Sequence, residues 1–247
     1  LYQQLNQPIW VATCLGQQGR ILAKRGDFDA ASQLFVEEQK IHERDGNTAM
    51  LCHSLTNESQ ALASKGDIAA GLERLEHAER LCRGLGTPDI LAQNLTQQAQ
   101  HRIELNDLDY ALALLIEEEA IYREEWTNDL GLASNLLSQA DVHERRKEYA
   151  KALQLLREGE ILCRKTSDNL LFQNLWAQNN VLIMISSDAK MPQGKYEVMV
   201  RVANEASQLA SKLGYPDIAE SLETQAKRSM QLVELIRKLP SDRKSSE

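Results

Sequence analysis

Residues 85–91 read LGTPDIL, and residues 213–219 read LGYPDIA. Five of the seven positions match across a separation of 128 residues. Leu-Gly followed by Pro-Asp is a helix stop and a helix start together. Glycine accepts the left-handed backbone that ends a helix, and proline is tolerated in the first turn of the next. An Asp in that turn faces the positive end of the helix dipole. A junction spelled twice raises the question of whether everything between is repeated as well.

The intervening turns answer it. KRGDFDAA (24–31), SKGDIAAG (64–71), ELNDLDYA (104–111) and RRKEYAKA (145–152) follow one another at intervals of 40, 40 and 41. A fifth copy, QGKYEVMV, places Met199 where Ala152 stood, 47 residues on. The last three intervals add up to the separation of the two LGxPDI junctions, so these occupy the same position three repeats apart. A second column agrees: CLGQQG (14–19), SLTNES (54–59), NLTQQA (94–99), NLLSQA (135–140), NLWAQN (174–179) and SLETQA (221–226). Both columns place one extra residue near EEWTND (124–129) and about eight near ISSDAKMPQG (185–194).

Each repeat holds two helical patterns. Leu34, Phe35 and Ile41, and their counterparts Leu114, Leu115 and Ile121, fall at helical spacing on one face. The Gly-Asp turn joins the two helices, with Asp placed as an N-cap. Small residues form two columns, Ala31, Gly71, Ala111 and Ala152, and Gly19, Ser59, Ala99, Ala140, Asn179 and Ala226. They mark the expected closest helix approaches.

Composition agrees with an all-helical chain. Aromatics are 5% of residues, helix formers recur throughout, and the prolines are confined to 8, 88, 192, 216 and 240. The net charge of −8 is spread along the chain, which argues against nucleic acid, whose phosphates need a basic stripe. The longest apolar run, VLIMI (181–185), is far short of the ~18 residues of a membrane span. Cys14, Cys52, Cys82 and Cys163 show no CxxC spacing and read as reduced, partly buried thiols of a cytoplasmic protein. The chain opens on Leu with no leader pattern. It reads as a fragment of something longer, with a processed product as the other reading.

Two helices per repeat, a small residue in each, and A-x-x-x-F/L from Ala31 to Phe35, Ala111 to Leu115 and Ala152 to Leu156 resemble the tetratricopeptide repeat. A period near 40 rather than 34 is similar to the subclass in kinesin light chain, Pins-like adaptors and the C-terminal repeats of STAND NTPases. The resemblance covers about 1–237. It implies an all-α, right-handed α-α superhelical solenoid of helix hairpins. Five helix pairs and a final helix from Pro216 to Lys238 are expected within 1–238. A mobile polar tail (239–247) follows, and LYQQLNQPI reads as the end of a preceding unit. Leu at 15, 55, 95, 136, 175 and 222 replaces the family's aromatic. A Gln or Glu column (18, 58, 98, 139, 178, 225) replaces a family Leu. That column reads either as a hydrogen-bonded ladder between repeats or as an exposed helix edge.

No HExxH, phosphate loop, GxGxxG or GxSxG occurs, so neither catalysis nor a cofactor or metal is expected. Glu37-Glu38 and Glu117-Glu118-Glu119 share a column read as a solvated helix face. Cys82 and Cys163 share the column of His42 and Tyr122, a semi-buried helix position. In the family the first helix of each repeat lines a concave face that binds peptides or partner helices. Carried over by column, the partner-binding positions are His53, Thr56 and Gln60; Gln93, Thr96 and Gln100; Ser134, Leu137 and Asp141; and Gln173, Trp176 and Asn180. The first repeat adds Thr13, Gly16 and Arg20. Trp176 reads either as an anchor or as packing against the 185–195 insertion. The expected function is a protein-interaction scaffold that binds a peptide or helix, in signalling. The alternative is the sensor or autoinhibitory arm of a larger effector such as a STAND NTPase or protease.

Overall fold

Local chemistry predicts helix after helix, and the computed structural model of the chain describes residues 8–187 and 193–238. The N-terminal LYQQLNQ, residues 188–192 of the insertion and the expected tail lie outside the described residues. Eleven α-helices and no strand occur among those described. The chain divides into two units, Leu1–Thr127 and Asn128–Glu247.

The first unit contains α1 (Pro8–Lys24), α2 (Phe28–Arg44), α3 (Thr48–Lys65), α4 (Ile68–Leu85), α5 (Pro88–Glu104) and α6 (Leu108–Ala120). Each helix packs on the next in sequence, and α1 also touches α3, and α3 touches α5. First helices therefore lie side by side. The second unit contains α7 (Asp129–Arg145), α8 (Tyr149–Thr166), α9 (Asp168–Ser187), α10 (Gln193–Lys212) and α11 (Pro216–Lys238). It follows the same rule, with α7 touching α9.

The junctions take the conformations their letters require. Gly66 ends α3 at φ 99°, where a Cβ is disfavoured, and the Asp67 carboxylate accepts from the Ala70 N–H (3.1 Å) to begin α4. Gly86 (φ 64°) ends α4, and Pro88 opens α5. At the third and fourth intra-pair turns the left-handed residue is Asn106 (φ 59°) and Lys147 (φ 61°).

A five-residue π-helical turn, Ile121–Glu125, extends α6. A π turn widens the helix to accommodate an extra residue. It stands beside the segment where the 41-residue interval demanded one. Trp126 N–H closes it on the Ile121 carbonyl (2.8 Å), and the Tyr122 and Trp126 rings lie 5.7 Å apart.

The small columns mark the tight crossings. A Cβ at Gly19 would lie 2.7 Å from the Phe35 ring, and one at Gly71 would lie 3.0 Å from the Ser59 carbonyl. Ala31, Ala111 and Ala152 are fully buried, as are Leu95, Leu136 and Leu175 of the column that replaces the family's aromatic. The second unit has a continuous apolar core running from Ala133 through Leu156 and Leu182 to Leu222.

Candidate functional site

The first-helix positions are set by period. Residues three and four apart on α3 and α5 repeat on one face, and the contact of α3 with α5 sets those faces side by side. Five of the expected partner-binding residues, His53, Thr56, Gln60, Gln93 and Thr96, line a groove of 260 Å³ between them. Asn57 and Gln97 complete its lining. The Gln60 amide donates to Gln97 Oε1 (2.9 Å) across the groove. Gln100 is exposed and outside this lining. An adjoining cavity of 170 Å³ shares His53 and Asn57 and is lined also by Thr13, Gly16, Arg20, Glu38 and His42.

In the second unit the expected residues are placed differently. Ser134 and Gln173 are exposed, and Leu137 and Asn180 are half-buried. Asp141 is paired with Arg145 (2.9 Å) on its own helix. Trp176 is 36% exposed and meets Phe172 edge-on (5.9 Å), while Phe172 stacks on Tyr215 (5.9 Å). The alternative contact of Trp176 with the insertion falls partly outside the described residues. A groove of 690 Å³ in this unit is lined by none of these six residues. Ile183 and Met199 with Asp217, Glu220, Thr224 and Arg228 are among those that line it.

Within the acidic column Glu37 is exposed, in keeping with a solvated face, but Glu38 and Glu118 are buried, which corrects the sequence reading for those two. Glu38 is 9% exposed and Glu118 is 2% exposed. Hydroxyls from the neighbouring first helix reach them: Ser54 Oγ donates to Glu38 Oε2 (2.7 Å) and Thr96 Oγ1 to Glu118 Oε1 (2.6 Å). Burial raises the Glu38 pKa above its ordinary value, against the opposing pull of Ser54 and His42. Burial likewise raises the Tyr122 phenol, and the adjacent Glu118 carboxylate adds to it. Sequence reasoning missed these carboxylates, along with Asn57 and Gln97. The only signal available for Asn57 and Gln97 was their own column, four residues beyond His53 and Gln93.

Three members of the Gln/Glu column, Glu58, Gln98 and Gln178, form rungs of a ladder, while Gln18 is exposed. Gln39 Nε2 donates to Glu58 Oε2 (2.8 Å), Gln98 to Glu79 (2.6 Å) and Gln178 to Glu160 (2.7 Å), each rung joining a second helix to the next first helix. Each carboxylate also has a guanidinium: Arg74 for Glu58 (3.3 Å), Arg83 for Glu79 (2.7 Å), and Arg164 (2.6 Å) and Arg201 (3.1 Å) for Glu160. Burial pushes Glu160 up, but the bonds from Gln178, Arg201 and Arg164 outweigh it, and its pKa lies below the ordinary value. Cys52, Cys82 and Cys163 are buried fully rather than partly, whereas Cys14 is exposed.

With this geometry established, the comparisons with known proteins decide the fold. A crystal structure of putative kinesin light chain TPR-like repeats from Podosopora anserina superposes over 90% of this chain and 96% of its own, with a TM-score of 0.57 at 13% identity. The fold is that of a tetratricopeptide-like repeat protein. A Rap protein complexed with Competence and Sporulation Factor matches over 92% of this chain and 65% of its own (TM-score 0.61, 12% identity). A STAND protein with a tetratricopeptide repeat sensor, from Pyrococcus horikoshii, matches over 92% of this chain and 37% of its own (TM-score 0.60, 8% identity). No protein-family model matches the chain, and no curated protein matches its sequence. No described helix is long and apolar enough to cross a membrane.

Proposed function

We propose that this tetratricopeptide-like chain is a protein-interaction module that holds an extended segment of a partner along its first-helix face. The observation that carries this reading is the α3/α5 groove. Its seven lining residues are carboxamides, hydroxyls and one imidazole, with no lysine or arginine among them. An extended peptide exposes backbone N–H and C=O groups along its whole length, and carboxamides can both donate to and accept from these. A clamp for a terminal carboxylate needs fixed cations instead. A fold neighbour complexed with Competence and Sporulation Factor supports the use of this architecture to hold a partner.

The test is a selection from a random heptapeptide display library against the immobilised protein, followed by titration of the enriched peptides. Asn57→Ala and Gln93→Ala are expected to weaken binding about tenfold each, the size of one net hydrogen bond to a peptide group left unpaired. Trp176→Ala shows whether the second unit contributes an anchor, expected as a further tenfold loss. Binding indifferent to both groove variants would remove the groove from the site.

A second reading has its own support, the likeness to a STAND protein whose repeats are a sensor. In that reading the same groove belongs to the sensing arm of a larger effector. An adjoining nucleotide-binding or protease domain in the full reading frame would favour it.

A further inference from the structure

Three carboxylates at helix junctions of the first unit, the buried Glu38 and Glu58 and the half-buried Glu79, differ in one respect. Glu58 and Glu79 each have an arginine within 3.3 Å. Glu38 does not: its partners are the Ser54 hydroxyl (2.7 Å) and the His42 Nε2 (3.6 Å). A carboxylate offers about four acceptor positions, and leaving them dry is costly. This one lines the 170 Å³ cavity beside the proposed peptide groove, a volume of roughly five or six water molecules. A Cβ at position 16 would overlap the carboxylate, so only the bare backbone of Gly16 permits it to sit there.

From this we infer that the Glu38 cavity is a subsite for a basic side chain, lysine or arginine, carried by the segment bound in the adjoining groove. The inference rests on the peptide-binding reading above. An ammonium presents three donors and a guanidinium five, which matches the acceptor capacity that Ser54 and His42 leave open. The aliphatic stem of such a side chain has Met50 in the cavity lining to pack on. The groups that face Glu38 are His42 on its own helix, Ser54 and His53 on α3, and Arg20 at the rim of α1. Arg20 is exposed and donates to Gln17 on its own helix (2.5 Å). Burial raises the Glu38 pKa, and Ser54, His42 and the Arg20 charge oppose that rise, as a bound cation would.

The probes are the heptapeptides enriched on the wild-type protein, resynthesised with norleucine in place of each basic residue. Enriched sequences are expected to share one lysine or arginine position. Its replacement by norleucine is expected to weaken binding at least tenfold in wild type and to change nothing further in Glu38→Gln, because a charge-assisted bond is lost only once. Enrichment without a basic position, or an equal norleucine penalty in Glu38→Gln, overturns the subsite while leaving the groove standing. Peptides insensitive to Asn57→Ala and Gln93→Ala overturn both. Should Glu38→Gln fail to fold, Thr13→Arg on the exposed face of α1 adds to the cavity a second guanidinium beside that of Arg20. The basic preference is then expected to vanish, and its persistence overturns the subsite.

Discussion

Lys147 stands where Gly26 and Gly66 stand in the earlier repeats, and it adopts the same left-handed backbone, at φ 61°. For a residue with a Cβ that conformation costs roughly 1–2 kcal/mol. The turn keeps it because the Lys147 N–H is bonded to the Glu144 carbonyl (2.8 Å) and the Glu148 N–H to that of His143 (2.8 Å). Lys147→Gly is therefore expected to stabilise the protein by about 1 kcal/mol, part of the strain being offset by the greater freedom of glycine when unfolded. Urea unfolding checks this, and an unchanged midpoint would show that the turn is unstrained. The left-handed turn was legible in the letters, since its column runs Gly, Gly, Asn, Lys before the same cap position. The burial of Glu38 and Glu118 was not. A run of glutamates has the letters of a solvated face. A hydroxyl from another helix, Ser54 for Glu38 and Thr96 for Glu118, helps to make the buried position tenable.

Among elements, the crossings decide how close helices come. Ala111 is fully buried on α6, in the column where Gly71 abuts the Ser59 backbone. Ala111→Glu inserts a larger, charged side chain into a crossing that has no room for it. The expected cost is about 3 kcal/mol or more, from overpacking and from burying a charge. For a chain of this length that corresponds to a melting temperature lower by roughly 10 °C. Melting followed by circular dichroism tests it, and a parent-like transition would show the register to be wrong. The rungs belong to this scale as well. Whether Gln98 and Gln178 were exposed or paired depended on the distance of Glu79 and Glu160 on the preceding helix. Periodicity locates a face on a helix, and the partner of that face is known only when the second helix is in place.

At the scale of the whole molecule, the two units each bury their own apolar side chains. In the first, Phe35 packs with Ala31 and Ala61, and Leu51, Cys52 and Leu55 with Ala78 and Cys82. Three hairpins are about the least that a repeat architecture needs to bury a continuous core. Residues 1–127 expressed alone are expected to keep a helical circular dichroism spectrum and to unfold cooperatively in urea. A spectrum of disordered chain would show that this unit depends on the remainder. By itself the sequence determined that the chain is helical, how long its repeat is, and where helices stop and start at the Gly-Asp-type and LGxPD junctions. Those properties follow from caps, glycines and apolar spacing within a few residues of one another. Only the tertiary structure decided that a carboxylate lies buried beside Gly16, that glutamines form rungs, and that the carboxamides of α3 and α5 share a groove. These depend on side chains 16 to 40 residues apart meeting in space, and no local propensity records such a meeting.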